Sequence, residues 1–188
     1  MNDYNPIAEA QRKAFILRET RRLGGVRAYE DFTADNYTNK QVLDALKNYP
    51  VENYFLWGNA GSGKTHAAVA VLRNTKNGRL VRMGTISREL RSCEVSRDEE
   101  EIIAKYAKEP LLIDDLGSEK MTEFLQTVLF EIIDKRWQSK EGGLIITANM
   151  NITALGAIVG DRTASRIAGL VGGKNVIELT GKDYRLGR

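Results

Sequence analysis

The stretch Gly58-Asn59-Ala60-Gly61-Ser62-Gly63-Lys64-Thr65, GNAGSGKT, decides how the rest of the chain is read. It satisfies G-x-x-x-x-G-K-[ST] at every fixed position. A short apolar run, Tyr54-Phe55-Leu56-Trp57, precedes it, and a helical pattern from His66 to Asn74 follows. Strand before and helix after is the context in which this motif holds phosphate. Glycines let the backbone wrap closely and turn its N–H groups inward. The helix that opens there places its positive dipole end at the same point. A chance glycine-rich turn would lack these flanks. Gly58, Asn59, Ala60, Gly61, Ser62, Gly63, Lys64 and Thr65 are therefore candidate nucleotide-binding residues. Lys64 suits the β- and γ-phosphates of ATP, and the Thr65 hydroxyl suits Mg2+. His66 is counted with them because it sits just inside the helix, although a packing or surface role suits it better.

About 50 residues on comes Glu109–Lys120, EPLLIDDLGSEK. Alone it has two readings: a metal and water site, or a buried strand whose polar end is acidic. Beside a phosphate loop the first is the stronger. Such a loop needs a carboxylate at the C-terminal end of a neighbouring strand to hold Mg2+, and Asp114 fits. A second carboxylate can orient or deprotonate the attacking water, and Asp115 fits. A later apolar run, GGLIITANMN, ends in Asn149, whose amide suits the γ-phosphate or the water. In GDRTASRIAGL, Arg162 and Arg166 lie one helical turn apart on one face. Arginines presented this way can reach a nucleotide in a neighbouring subunit; surface arginines without a ligand are the plainer alternative.

Working outward, the chain alternates strands and helices. Strands are expected at Tyr54–Trp57, Leu80–Met83, Leu111–Asp114, Leu144–Thr147 and Asn175–Leu179. Helices are expected at Lys64–Asn74, Ile86–Arg91, Asp98–Lys108, Thr122–Gln138 and Ile152–Ile158, with an earlier one from a Thr38 cap to about Asn48. This alternation argues for a parallel, doubly wound α/β sheet. The continuous apolar runs LLI and LIIT suit strands covered on both faces. Before the core, residues 1–30 read as an extension with one helix, Pro6–Arg22. Its apolar stripe includes Ile7, Ala10, Ala14 and Leu17, and its polar face is basic: Arg12, Lys13, Arg18, Arg21 and Arg22. That face is either solvated or a docking surface. Residues 31–188 form the expected core.

Composition narrows the class. The 188 residues carry 28 basic and 25 acidic side chains, net +3, too mild to imply nucleic acid by itself. With one cysteine, Cys93, no intramolecular disulfide can form, and a reducing compartment is expected. With one histidine, a multi-histidine zinc site is excluded. The start of the chain has no apolar core of a secretory signal, and no run approaches the ~20 apolar residues that span a bilayer. The expectation is a cytoplasmic protein without membrane association.

In order, GNAGSGKT, LLIDDLG, TAN, DRTASR and the terminal GKDYR resemble the DnaC/DnaI/IstB group of AAA+ ATPases, bacterial and phage helicase loaders and their transposition relatives. The similarity runs from about Phe32 to the C-terminus. It implies a P-loop NTPase of AAA+ type with a five-stranded sheet of order 5-1-4-3-2 and no C-terminal helical lid. It also implies ATP bound between subunits of a self-associated assembly. Asp114 and Asp115 match the Walker B pair, Asn149 the sensor 1 position, and Arg166, with Arg162 next, the arginine finger acting in trans. Arg185 matches a family position without an assigned role. The resemblance implies Mg-dependent ATP hydrolysis in DNA replication, a replicative DNA helicase as partner through the N-terminal helix, and single-stranded DNA binding. Arg82, Arg88 and Arg91 are candidates to line a groove for that strand. The loaders carry a longer N-terminal domain than the 30 residues here. The alternatives are an IstB-like transposition helper ATPase and a nucleotide-gated DNA-binding adaptor with little hydrolysis.

Overall fold

The computed structural model describes residue 29 and residues 31–93, 96–181 and 183. The expected helix Pro6–Arg22 and Arg185 lie outside the described residues. Five strands are present among them: β1 (Tyr54–Trp57), β2 (Arg79–Val81), β3 (Leu111–Leu116), β4 (Leu144–Ala148) and β5 (Val176–Glu178). The helices are α1 (Lys40–Ala45), α2 (Lys64–Arg73), α3 (Met83–Arg91), α4 (Ser96–Lys108), α5 (Glu123–Ser139), α6 (Ile152–Val159) and α7 (Asp161–Val171). The strands pair in the order β2-β3-β4-β1-β5, every pair parallel, which is the expected 5-1-4-3-2 from the other edge.

The central strands are apolar up to their C-terminal ends because both faces are covered. Side chains alternate between the faces with period two. Leu111, Ile113, Leu144, Ile146 and Phe55 point into one core, shared with Ile86 and Leu90 of α3, Tyr106 of α4 and Ile132 and Ile133 of α5. Leu112, Ile145, Leu56 and Tyr54 point into the other, shared with Leu46 and with Ala67, Ala68, Val69 and Leu72 of α2. The small Ala67-Ala68 pair lets α2 lie close on the strands, which carries its N-terminus to their C-terminal edge.

Local signals explain several helix starts. Thr122 caps α5 by accepting the N–H of Leu125, and Asn151 caps α6 by accepting that of Ala154. Several boundaries differ from expectation, β3 running on to Leu116 and α4 starting at Ser96 among them. The cap of α1 is Asn39, not Thr38, because the Asn39 side chain reaches the Val42 N–H. The second strand stops at Val81, since Arg82 is the extended residue that starts α3, and helix begins at Met83, three residues early.

One buried cation braces the end of the sheet opposite the phosphate loop. Arg136 of α5 is 1% exposed. Its guanidinium donates to the carbonyls of Tyr106 (2.7 and 2.9 Å), Gly142 (3.2 Å) and Gly143 (3.4 Å), and also to that of Glu109. Burial pulls its pKa down to about 10, so it stays charged at neutral pH. It ties the entry of β3 to the entry of β4. Replacing Arg136 with Met keeps the bulk but leaves these carbonyls unpaired. The variant should lose about 3 kcal/mol or more of unfolding free energy in a denaturant titration; a loss under about 1 kcal/mol would show that water replaces the guanidinium.

Candidate nucleotide and metal site

The phosphate loop runs from the end of β1 into α2. Gly61 (φ +75°) and Gly63 (φ +90°) take left-handed backbone that side chains resist, and this curls the loop. The N-cap of α2 is Gly63, which has no side chain to cap the helix, leaving its first N–H groups to the loop interior. Ser62 is buried, and its hydroxyl has no hydrogen-bond partner. A curled glycine backbone, an uncapped helix start and an orphaned buried hydroxyl fit an anion. Lys64 is buried and donates to the carbonyls of Gly58 and Asn59, both at 2.8 Å. Its ammonium thus lies folded over the loop that an incoming phosphate would enter.

Across from the loop, Asp114 is 1% exposed. Its Oδ1 accepts from the Thr65 hydroxyl (2.8 Å) and the Thr147 hydroxyl (2.9 Å). Its Oδ2 accepts from the Tyr29 hydroxyl (3.0 Å) and pairs with Arg82 (Nη2, 3.2 Å). Because Thr65 spends its proton on Asp114, its oxygen lone pairs remain for a metal. Among the described residues, no three Cys, His, Asp or Glu side chains gather to form a metal cage. Thr65 and Asp114 instead suit Mg2+ carried in by phosphates and keeping its water.

Adjacent residues on a strand point to opposite faces, so Asp114 and Asp115 should diverge. A β-bulge prevents that. Ile113 pairs with Ile146 and Leu116 with Ala148, so β3 spends one more residue than β4. The extra backbone bend is at Asp115 (φ +58°). Its N–H donates to Thr147 Oγ1 (2.8 Å), and its Oδ1 accepts from Asn149 Nδ2 (3.0 Å). Thr65, Asp114, Thr147, Asp115 and Asn149 therefore form one continuous hydrogen-bonded chain.

His66 lies beside this chain rather than in it. Its ring stacks on Phe32 (centroids 4.5 Å, interplanar 11°), and Nε2 lies 3.1 Å from the Thr33 carbonyl and 2.9 Å from Asn36 Oδ1. Burial lowers its pKa, opposed by the Thr33 carbonyl. The two arginines of α7 lie against α5. Arg162 covers the Phe130 ring at 4.5 Å and is exposed. Arg166 covers Trp137 at 5.2 Å and forms a 3.2 Å ion pair with Asp134 without hydrogen-bond alignment. An open groove of about 500 Å3 between α4 and α5 is lined by Glu100, Glu101 and Glu131 and holds no loop residue, so volume does not mark the site.

Over residues 11–188 the chain matches the family described as IstB-like ATP binding protein. It belongs to that family. A curated relative, the uncharacterised Escherichia coli (strain K12) protein YdaV, is 26% identical, matching 74% of this chain and 61% of its own length. Solved structures show the same AAA+ fold. The DnaC helicase loader superposes at TM-score 0.66 with 22% identity, covering 82% of this chain and 100% of DnaC. DnaI superposes at 0.64 with 20% identity, covering 84% and 93%. The replication initiator DnaA bound to AMPPCP and single-stranded DNA superposes at 0.65 with 21% identity, covering 81% and 50%.

In this IstB-like protein the sequence motifs led to Lys64, Thr65, Asp114, Asp115 and Asn149, but not to Tyr29 or Thr147. It placed Arg82 with Arg88 and Arg91 on a strand-binding groove. In the structure Arg82 pairs with Asp114 while its side chain stays about half exposed, and Arg88 and Arg91 are exposed on α3. Thr147 is the missed residue with a readable signal, a hydroxyl inside a fully apolar strand. Thr147→Val keeps shape and removes the hydroxyl that serves both aspartates. It should cost about 1–3 kcal/mol of stability in a thermal or denaturant melt; no loss would mean the aspartates do not depend on it.

Proposed function

We propose that this protein is a Mg-dependent ATPase that acts in DNA replication as a helicase loader, assembling with copies of itself and binding single-stranded DNA. The observation that carries the reading is the connected set Thr65–Asp114–Thr147–Asp115–Asn149 facing an anion-ready loop. The fold likeness to DnaC and DnaI gives the replication context.

In this reading Lys64 exchanges its loop carbonyls for the β- and γ-phosphate oxygens. Thr65 and Asp114 hold Mg2+, which when bound would neutralise phosphate charge. Asp115, turned into the site by the bulge and steadied by Asn149, orients the attacking water and accepts its proton. Arg166 or Arg162 of a neighbouring copy supplies the charge that stabilises the transition state. Arg88 and Arg91, exposed on α3, are the side chains offered to a DNA backbone. The N-terminal basic segment is the docking candidate for a replicative helicase.

The family match keeps a second reading in play, an IstB-like helper of transposition with the same ATPase core. Co-purification with a hexameric replicative helicase supports the loader; binding to a transposase with no helicase binding refutes it. An adaptor that binds ATP but scarcely turns it over is separated by a turnover assay, with and without single-stranded DNA.

Asp115→Asn should retain nucleotide affinity and lose about 10²-fold or more in turnover; full turnover would refute a base at this position. Arg166→Ala should abolish the rise of specific ATPase activity with protein concentration. If Arg162→Ala does so instead, the finger is Arg162. If wild-type activity is independent of concentration, neither acts in trans.

A further inference from the structure

Two of the groups on Asp114 are not needed to hold a metal. Thr65 and Thr147 bind Oδ1 and orient the carboxylate. Tyr29 and Arg82 take Oδ2, and they also bind each other, Arg82 Nη2 donating to the Tyr29 hydroxyl at 2.7 Å. The three side chains close a ring. Arg82 brings a full positive charge to a carboxylate that is 1% exposed, while its own side chain is 46% exposed. Asp114 is buried and fixed, and Arg82 has solvent to retreat into.

A divalent cation beside Thr65 would share this carboxylate with the guanidinium. Two cations on one carboxylate repel, most strongly where water is scarce. Arg82 therefore stabilises the metal-free site and opposes the metal-bound one. Its backbone is the N-cap of α3, and its side chain makes no capping bond there. Its other tie is the Tyr29 hydroxyl, 53 positions earlier in the chain.

We propose that Arg82 and Tyr29 form a cationic latch on Asp114 that competes with the metal of a bound nucleotide, so that metal–nucleotide binding opens the latch and releases Tyr29 and the first turn of α3. The latch rests on the phosphate-loop reading and adds a route by which occupancy of the loop is felt at α3 and Tyr29. A bland ion pair that only stabilises the fold predicts the opposite sign, or no effect, on metal affinity.

The full chain is titrated with Mn2+ in the presence of ADP, and free Mn2+ is followed by its electron paramagnetic resonance signal. Arg82→Gln should bind Mn2+ about 5-fold or more tightly than wild type, because one competing cation is gone. Arg82→Lys should return the affinity toward wild type. Tyr29→Phe should shift it in the same direction as Arg82→Gln but less, since the guanidinium still reaches Asp114. Hydrogen exchange of residues 83–91 should speed up when Mn2+ and ADP bind the wild type and should change little in Arg82→Gln. Normal wild-type binding with unaltered or weaker Mn2+ affinity in Arg82→Gln overturns the latch alone. A wild-type protein that binds neither ADP nor Mn2+ overturns the phosphate-loop reading and the latch with it.

Discussion

A carboxylate removed from water must be met by donors or counter-charge, because an unpaired buried charge costs several kcal/mol. Asp114 is such a group, and its needs organise the site end of the sheet. Its partners come from α2, β4, the start of α3 and the segment before α1. These sequence-distant pieces have one thing in common, two carboxylate oxygens. The tyrosine is suited to this. Burial and the neighbouring Asp114 charge push the Tyr29 pKa up to about 12, against the pull of Arg82, so at neutral pH it remains a donor.

The bulge at Asp115 is the second constraint. A regular strand would send one aspartate of the pair to the opposite face of the sheet. The inserted residue, with its left-handed backbone, brings both onto one hydrogen-bonded chain. A non-glycine residue at positive φ is disfavoured, and it is kept where surrounding bonds over-determine it. Here the Thr147 hydroxyl holds the Asp115 N–H, and Asn149 holds its carboxylate. The TAN sequence is thus a clamp: Thr147 fixes the backbone of the bulge and Asn149 fixes its side chain.

What was legible in the sequence was what depends on near neighbours. The phosphate loop lies between a strand and a helix that touch it in sequence, and the apolar runs of β3 and β4 have no other use than a sheet covered twice. Asp114 and Asp115 could be read because they end such a run. The parts that were not legible are long-range. Tyr29 lies 85 positions from Asp114, Arg82 lies 32, and Thr147 lies 33. Nothing local separates a tyrosine that reaches a buried carboxylate from one that only packs. Arg82 read as a strand-end cation suited to DNA because the carboxylate it pairs with comes from another strand. Arg136 was silent for the same reason: in a helix of 17 residues a buried arginine looks like a solvated one until the carbonyls of two loops converge on it.

A nucleotide entering this site meets groups that already have partners. Lys64 is satisfied by Gly58 and Asn59, and Asp114 by Arg82, Tyr29 and two threonines. The loop is therefore not a set of bare charges waiting for a ligand, and binding is an exchange of partners. Each exchange returns only the difference between the new interaction and the old one. A site built this way gives up raw affinity, and in return every displaced partner moves. Lys64 moves only within its own loop. Arg82 and Tyr29 belong to α3 and to the entrance of the core, so of all the bonds at this site theirs are the ones whose breaking can be felt elsewhere in the molecule.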